Sequence, residues 1–286
     1  METRVSSATK EVVIADDQPT VLIGERINPT GKKKLAEALK AGNLDIVRSE
    51  AMAQAQAGAD IIDVNVSTFG VDDVSLLPQA VQVVMDAVEL PLCLDSPNPE
   101  ALAAALKVYK GKPLINSVTG EEHSLTRVLP LVKEYGAAVV GLVQDDEGIP
   151  KNSERRVAIA RNIVERVEAV GIPRADIIID CLAFAIGAEA GSGVAVIEAI
   201  RQIKNELGVN MTLGASNVSF GLPDRELLNN TFVSMVIMAG VTSLIVDVAK
   251  VRPTVLATDL VLSRDKFARR YIENHRRHQS LQKSEA

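Results

Sequence analysis

A chain of 286 residues with 47% hydrophobic and 24% charged residues can bury a large core, and α/β barrels commonly run to roughly 250 residues as one domain, so a single domain is expected. A net charge of −6 and an isoelectric point near 5.3 argue against nucleic acid or an anionic membrane as the main partner, since either calls for a basic stripe. A small ligand or an uncharged protein surface fits better.

Residues 1–20 hold neither a long apolar core nor a membrane-length run, so they read as an arm or lid over a barrel bottom, and no later apolar run reaches the roughly 18 residues of a membrane span. A cytoplasmic protein is expected. From there, short β-branched runs alternate with stretches of helical period. Strands are expected at 21–24, 60–64, 90–94, 113–115, 137–142, 177–179, 211–214 and 243–246. Helices are expected at 44–57, 72–88, 99–107, 121–135, 153–170, 193–207, 225–238 and 254–263. Gly58, Gly136, Gly171, Gly208 and Gly240 stand near helix ends, where a left-handed residue stops a helix. Eight βα units in series specify a (β/α)8 TIM barrel over 21–263, in the α/β class. Residues 264–286 read as a charged, solvated helix, and its Arg269, Arg270, His275, Arg276, Arg277 and His278 as a solvent-facing surface rather than a site.

Two cysteines, Cys93 and Cys181, lie in apolar strands with no histidine nearby in sequence, which argues against a disulfide framework or a closed zinc site. Buried, reduced thiols and no bound metal are expected.

Barrel active sites gather at the carboxyl ends of the strands, so the residues that follow each strand form one candidate pocket. These are Glu25 and Asn28, Asn65 and Ser67, Asp95 and Ser96, Asn116 and Ser117, Gln144, Asp180, Ser216 with Asn217 and Ser219, and Asp247. Hydrogen-bonding groups dominate and cations are scarce, so a phosphate cradle is disfavoured. A heterocycle with several N–H donors suits the set, because a carboxylate accepts two parallel hydrogen bonds from a guanidine-like edge. Plainer roles stand beside these. Asp95, Asn116 and Asp180 could cap helices, Asn217 could satisfy a local turn, and some of Glu25, Asn28, Asp63 and Asn65 could only organise loops. His123 reads as a surface residue.

The ordered set Gly24-Glu-Arg-Ile-Asn28, Asp63-Val-Asn65, Cys93-Leu-Asp95-Ser96, Ile115-Asn116-Ser117, Ile179-Asp180 and Ser216-Asn217-Val-Ser219 resembles the methyltetrahydrofolate:corrinoid methyltransferases, including the pterin-binding module of cobalamin-dependent methionine synthase. The likeness spans roughly residues 20–262. It implies a pterin in the barrel mouth, anchored by Asp95, Asn116 and Asp180, with the Asn217 amide approaching N5, the methyl-bearing nitrogen. Gly214, Ser216 and Ser219 complete the implied pterin contacts, with Glu25, Asn28, Asp63 and Asn65 less firmly placed. It further implies tetrahydrofolate or 5-methyltetrahydrofolate as substrate, a homodimer, and methyl exchange with cobalt in a direction left open.

The chain lacks the Asp-x-His-x-x-Gly signature of proteins that bind cobalamin through histidine, so its corrinoid is expected on a partner protein. Two departures from the family pattern stand out: Cys181-Leu-Ala follows Asp180 where many relatives have a proline, and Phe220 follows Ser219. Dihydropteroate synthase uses a similar pterin barrel but carries a Ser-Arg-Lys run after the seventh strand, where this chain has Ala215-Ser-Asn217. A non-catalytic pterin carrier within a corrinoid complex is the other alternative.

Overall fold

The computed structural model describes residues 1–285. Eight parallel strands pair in the order β10, β3, β4, β5, β6, β7, β8, β9. They are β3 (Val21–Ile27), β4 (Ile61–Val64), β5 (Leu92–Asp95), β6 (Leu114–Thr119), β7 (Ala138–Leu142), β8 (Ile177–Asp180), β9 (Asn210–Thr212) and β10 (Ser243–Val246). The two ends of this sheet meet: Thr242 N–H donates to Met211 O at 3.0 Å and Ile245 N–H to Leu213 O at 3.1 Å, which closes the barrel.

Its interior is layered by the two-residue period of a strand. Ile23, Ile61, Cys93, Leu114, Ala138, Val140, Ile178 and Ile245 pack together inside the ring. One period further along, Glu25, Asp63, Asp95, Asn116 and Asp180 take the same inward direction. The core therefore turns from apolar to polar within one step on five of the eight strands, and that step is the floor of the mouth.

The bottom is sealed by an antiparallel hairpin, β1 (Thr3–Ser6) and β2 (Glu11–Ile14), whose Val5, Val12 and Ile14 join the interior cluster. Asn210 anchors it by donating to Thr3 Oγ1 at 3.0 Å and Ile14 O at 2.8 Å. Each fully buried aliphatic chain of this kind contributes roughly 1.5–3 kcal/mol.

A second, larger apolar layer separates strands from the outer helices α1 (Lys33–Lys40), α2 (Asp45–Ala57), α3 (Asp73–Ala87), α4 (Pro99–Val108), α5 (Glu122–Tyr135), α6 (Ser153–Ala169), α7 (Ser192–Leu207), α8 (Arg225–Ala239) and α9 (Val248–Val261). Local chemistry sets their limits. In α5, Leu125, Val128, Leu129 and Val132 form the buried stripe, and Gly136 at φ 60° ends the helix. In α4, Pro99 occupies the first turn and Asn98 Oδ1 accepts from Glu100 N–H at 3.0 Å.

Two helices differ from expectation. Helix α9 begins at Val248 rather than 254, with Pro253 inside it. Burial of Val248, Val251 and Val255 outweighs the one hydrogen bond the proline removes. Helix α1 is additional: only Leu35 and Leu39 of its eight residues are buried, too brief a period to stand out in sequence.

The tail helix α10 (Arg269–Glu285) is latched to the barrel rather than free. Asp265 accepts from Arg270 N–H at 3.1 Å and Tyr271 N–H at 3.0 Å, and the Arg270 guanidinium lies 3.5 Å from buried Asp259. Arg252 donates to Gly58 O at 2.7 Å and Asn274 Oδ1 at 3.2 Å. Arg270 is thus a structural partner and not a surface charge, a correction to the sequence reading. The His278 side chain lies outside the described residues.

Candidate functional site

A cavity of about 500 Å³ opens at the carboxyl ends of the strands. Glu25, Asp95, Asn116, Asp180, Gly214, Ser216 and Asn217 all line it, from four strands and the turn after β9. Among the described residues no Lys or Arg is part of that wall, so the cavity is built to accept hydrogen bonds and not to hold phosphate.

Asp95 ends β5 beside Asn116 of β6. Asn65 Nδ2 donates to Asp95 Oδ2 at 2.9 Å, and Asn65 Oδ1 accepts from Ser67 N–H at 2.8 Å. Asn65 therefore positions Asp95 from outside the cavity wall. Burial raises the Asp95 carboxyl to about 7, the Asn65 hydrogen bond opposing and the nearby Glu25 adding to the rise. Asp63 sits one strand away, wholly buried, with neither oxygen hydrogen-bonded. Burial first, then Asp95 and Glu25, push its carboxyl well above the usual range. It lies behind the wall and does not line the cavity.

Asp180 is 4% exposed. Its Oδ1 accepts from Leu182 N–H at 2.7 Å and its Oδ2 from Gly214 N–H at 3.2 Å. Burial lifts it to about 6, against those two hydrogen bonds and the charge of Arg156. That buried arginine donates to the carbonyls of Cys181 and Leu182 and so fixes the loop in which Leu182 takes φ 55°.

The capping alternatives fail for Asp95, Asn116 and Asp180. Asn98 caps α4, Glu121 stands at the start of α5 and Gly191 at the start of α7. Asp180 does serve a local turn, yet its carboxylate still faces the cavity.

Glu25 is held by Asn28 Nδ2 at 2.9 Å, while Asn28 Oδ1 accepts from Thr30 N–H at 3.0 Å. Burial raises the Glu25 carboxyl, the Asn28 hydrogen bond and Lys32 opposing. Asn28 faces a second cavity of about 440 Å³, which shares Glu25, Ser216 and Asn217 with the first and also takes in Asp247, Lys32 and Arg225.

Asn217 rides on a 3₁₀ turn, Ala215–Ser219, after Gly214. Ala215 and Val218 pack inward while Asn217 is exposed on the partition between the two cavities. Its carboxamide makes no hydrogen bond with the described residues, so the turn does not use it. A Cβ at position 214 would come to 3.6 Å from Asn217 Nδ2, ordinary contact that a glycine leaves open. Ser216 borders both cavities. Ser219 does not line either: it is buried, and its Oγ accepts from Arg225 Nε at 3.0 Å and donates to Ser216 O at 3.3 Å.

Sequence reasoning missed Thr119, Glu121 and Ser124 on the far rim, and placed His123 on the surface, where it is exposed but also borders the cavity. A loop signal was present, since Gly120 lets its N–H reach Gln144 O at 2.7 Å. Phe220 is 69% exposed, and the Arg225 guanidinium lies 5.8 Å from its ring centre. Among the described residues no group of three or more His, Cys, Asp or Glu is placed to hold a metal ion, both cysteines are free and buried, and no helix is long and apolar enough to cross a membrane.

Residues 24–247 match the model of a family described as pterin binding enzyme. The chain is 34% identical over 266 residues to the methylcorrinoid:tetrahydrofolate methyltransferase of Eubacterium limosum, covering 90% of this chain and 96% of that protein. It is 35% identical over 265 residues to the methionine synthase of Mycobacterium tuberculosis, spanning 88% of this chain but 22% of that longer protein. Among solved structures, dihydropteroate synthase of Xanthomonas albilineans in complex with indole-2-carboxylic acid and 6-chloroguanine superposes with a TM-score of 0.69 at 22% identity, over 92% of this chain and 99% of that one. The Yersinia pestis enzyme with a pterine-sulfa conjugate gives 0.69 at 15% identity, over 92% and 100%. At such identities these two share the fold.

Proposed function

The chain belongs to the pterin-binding enzyme family, and on that premise we propose that it exchanges a methyl group between N5 of tetrahydrofolate and the cobalt of a corrinoid carried by a partner protein. The observation that carries this reading is the Asn217 carboxamide, unengaged by the described residues at the edge of a cavity lined by carboxyls, amides and hydroxyls. The name of the E. limosum relative supports both substrates and the direction from methylcorrinoid to tetrahydrofolate. Dihydropteroate synthase chemistry is disfavoured because Ala215-Ser-Asn217 replaces the Ser-Arg-Lys run and, among the described residues, no Lys or Arg borders the first cavity.

In this reading the pterin ring lies in the mouth. Asp180, its oxygens fixed by two backbone N–H groups, accepts the parallel N–H donors of the guanidine-like edge, while Asp95 and Asn116 bind the remaining ring atoms. The N5 lone pair attacks the methyl carbon, the carbon–cobalt bond breaks with its electron pair left on cobalt as Co(I), and the N5 proton passes to water. In reverse, the reduced pterin nitrogen is a poor leaving group and has to be protonated. Asn217 has no useful titration near neutrality, so it contributes a hydrogen bond that strengthens as charge changes at N5, and the proton moves through solvent. Catalysis is mainly positioning plus that contact.

The finer assignments are of the same kind: Gly214 and Ser216 border the ring, Glu25 lies near it, and Asn28, Asp63, Asn65 and Ser219 act through the loops. A homodimer is supported by exposed Met235, Met238 and Val261 on the outer faces of α8 and α9. Free thiols at Cys93 and Cys181 support a cytoplasmic setting. The deciding experiment mixes the protein with methylcobalamin and tetrahydrofolate, or Co(I) cobalamin and methyltetrahydrofolate, and follows the corrinoid spectrum. Spectra unchanged in both directions would sink the reading. Chelator should leave the rate unchanged.

A further inference from the structure

We propose that Arg225 is a positioning residue whose guanidinium holds the turn that presents Asn217 to the reacting nitrogen; this rests on the role of Asn217 given above. The turn is a short 3₁₀ segment, and at its end the Phe220 N–H donates to Asn217 O at 3.1 Å. Arg225 bridges it from outside. Its Nη2 donates to Ser216 O at 3.0 Å and its Nε to Ser219 Oγ at 3.0 Å, while Ser219 Oγ itself donates to Ser216 O. One planar fork thus fixes the residue just before Asn217 and the residue two after it. A single lysine ammonium lacks that two-pronged geometry.

The fork is mounted on a rigid base. Arg225 is the first residue of α8, and Phe232, Val233, Val236 and Ile237 bury that helix in the core. Gly221 at φ 78° and Asp224 at φ 47° bend the chain back so that this first residue faces the turn, and the Phe220 ring covers the guanidinium. Among the described residues Arg225 makes no ion pair with a carboxylate, so this exposed cation gives its donors to neutral acceptors on the turn. The second cavity also touches Arg225, and the alternative of direct ligand contact has a distinct signature.

The test uses the full chain as Arg225→Met and Arg225→Lys, each alone and combined with Asn217→Ala. Single-turnover methyl transfer at saturating pterin should slow by about tenfold or more in Arg225→Met, with pterin Kd changed less than about threefold. Arg225→Lys keeps the charge but not the fork and should stay nearly as slow. In the Asn217→Ala background, Arg225→Met should change the rate by less than about twofold, because the residue it positions is gone. Hydrogen exchange gives a readout independent of methyl transfer: the Phe220 amide should exchange about tenfold faster in Arg225→Met while strand amides such as that of Val140 stay protected. An equal slowing in the Asn217→Ala background, a rise in pterin Kd that accounts for the loss, or an unchanged Phe220 exchange rate would each overturn the proposal. A wild-type protein without methyl transfer would instead overturn the functional reading, and the exchange rates would still decide whether Arg225 holds the turn.

Discussion

Gly214 donates its backbone N–H to Asp180 Oδ2 at 3.2 Å. That contact ties the end of β8 to the residue from which the Asn217 turn springs, so Asp180, the proposed pterin anchor, and the Asn217 amide share one support.

Asp180→Ala removes the acceptor for both Gly214 and Leu182 and one side of the binding edge. Pterin affinity should fall by about 1–3 kcal/mol through lost charge-assisted hydrogen bonds. Calorimetric titration checks it. Unchanged affinity would leave Asp180 with only its turn contacts.

Asp95 and Asp180 are held at about 7 and about 6, both lifted mainly by burial. The folded state therefore binds more protons than the unfolded chain between their ordinary carboxylate range and those values. Stability is fully present below that range and declines as pH rises toward 7. Glu25 and Asp63 act in the same sense. Glu122 and Glu168, lowered by Arg166 and Arg174, titrate below this window. The ligand-free protein should lose on the order of a few kcal/mol between about pH 5 and pH 8. Asp95→Asn should flatten that slope and melt higher at pH 8 while binding pterin less well, because the substituted amide still accepts from Asn65 and no longer ionises. Melting curves across pH decide it, and an equal slope in wild type and variant would remove Asp95 from the account.

Asn65→Ala removes the hydrogen bond that favours ionised Asp95. The pH at which pterin binding reaches half its maximum should move upward, with the weakest binding on the acid side. A titration series in pterin affinity from about pH 5 to pH 8 measures the shift, and coincident profiles would show that Asn65 serves only Ser67.

The starts of all eight barrel strands were legible in sequence to within two residues, because β-branched runs mark them. Their ends were less so. Expected ends at 24, 94, 115 and 179 become Ile27, Asp95, Thr119 and Asp180. In a closed barrel the ladder continues under polar residues such as Asp95 and Asn116, which carry no strand propensity of their own. Those overrun residues are the candidate site, so local propensity fails where the fold spends strand positions on function. The β1–β2 hairpin was not legible: Ser7, Ala8, Thr9 and Lys10 offer no glycine turn signal. Arg225 was silent for a different reason. Its partners Ser216 and Ser219 lie nine and six positions earlier across an irregular turn, and no periodicity links them.

Asn217→Ala should keep the fold and most of the pterin affinity and slow methyl transfer by on the order of 10²-fold, the cost of removing one preorganised donor from a developing charge. The amide makes no hydrogen bond with the described residues, so its loss leaves no partner unsatisfied and costs little stability. An interaction realised as the bond at N5 forms or breaks lowers the barrier without tightening the ground state, so kcat falls while KM moves little. Stopped-flow single turnovers at saturating pterin isolate that step, and circular dichroism reports the fold. Wild-type rates in a folded variant would show that Asn217 is a bystander on its turn, and the two cavities it divides would need another residue at their junction to act on N5.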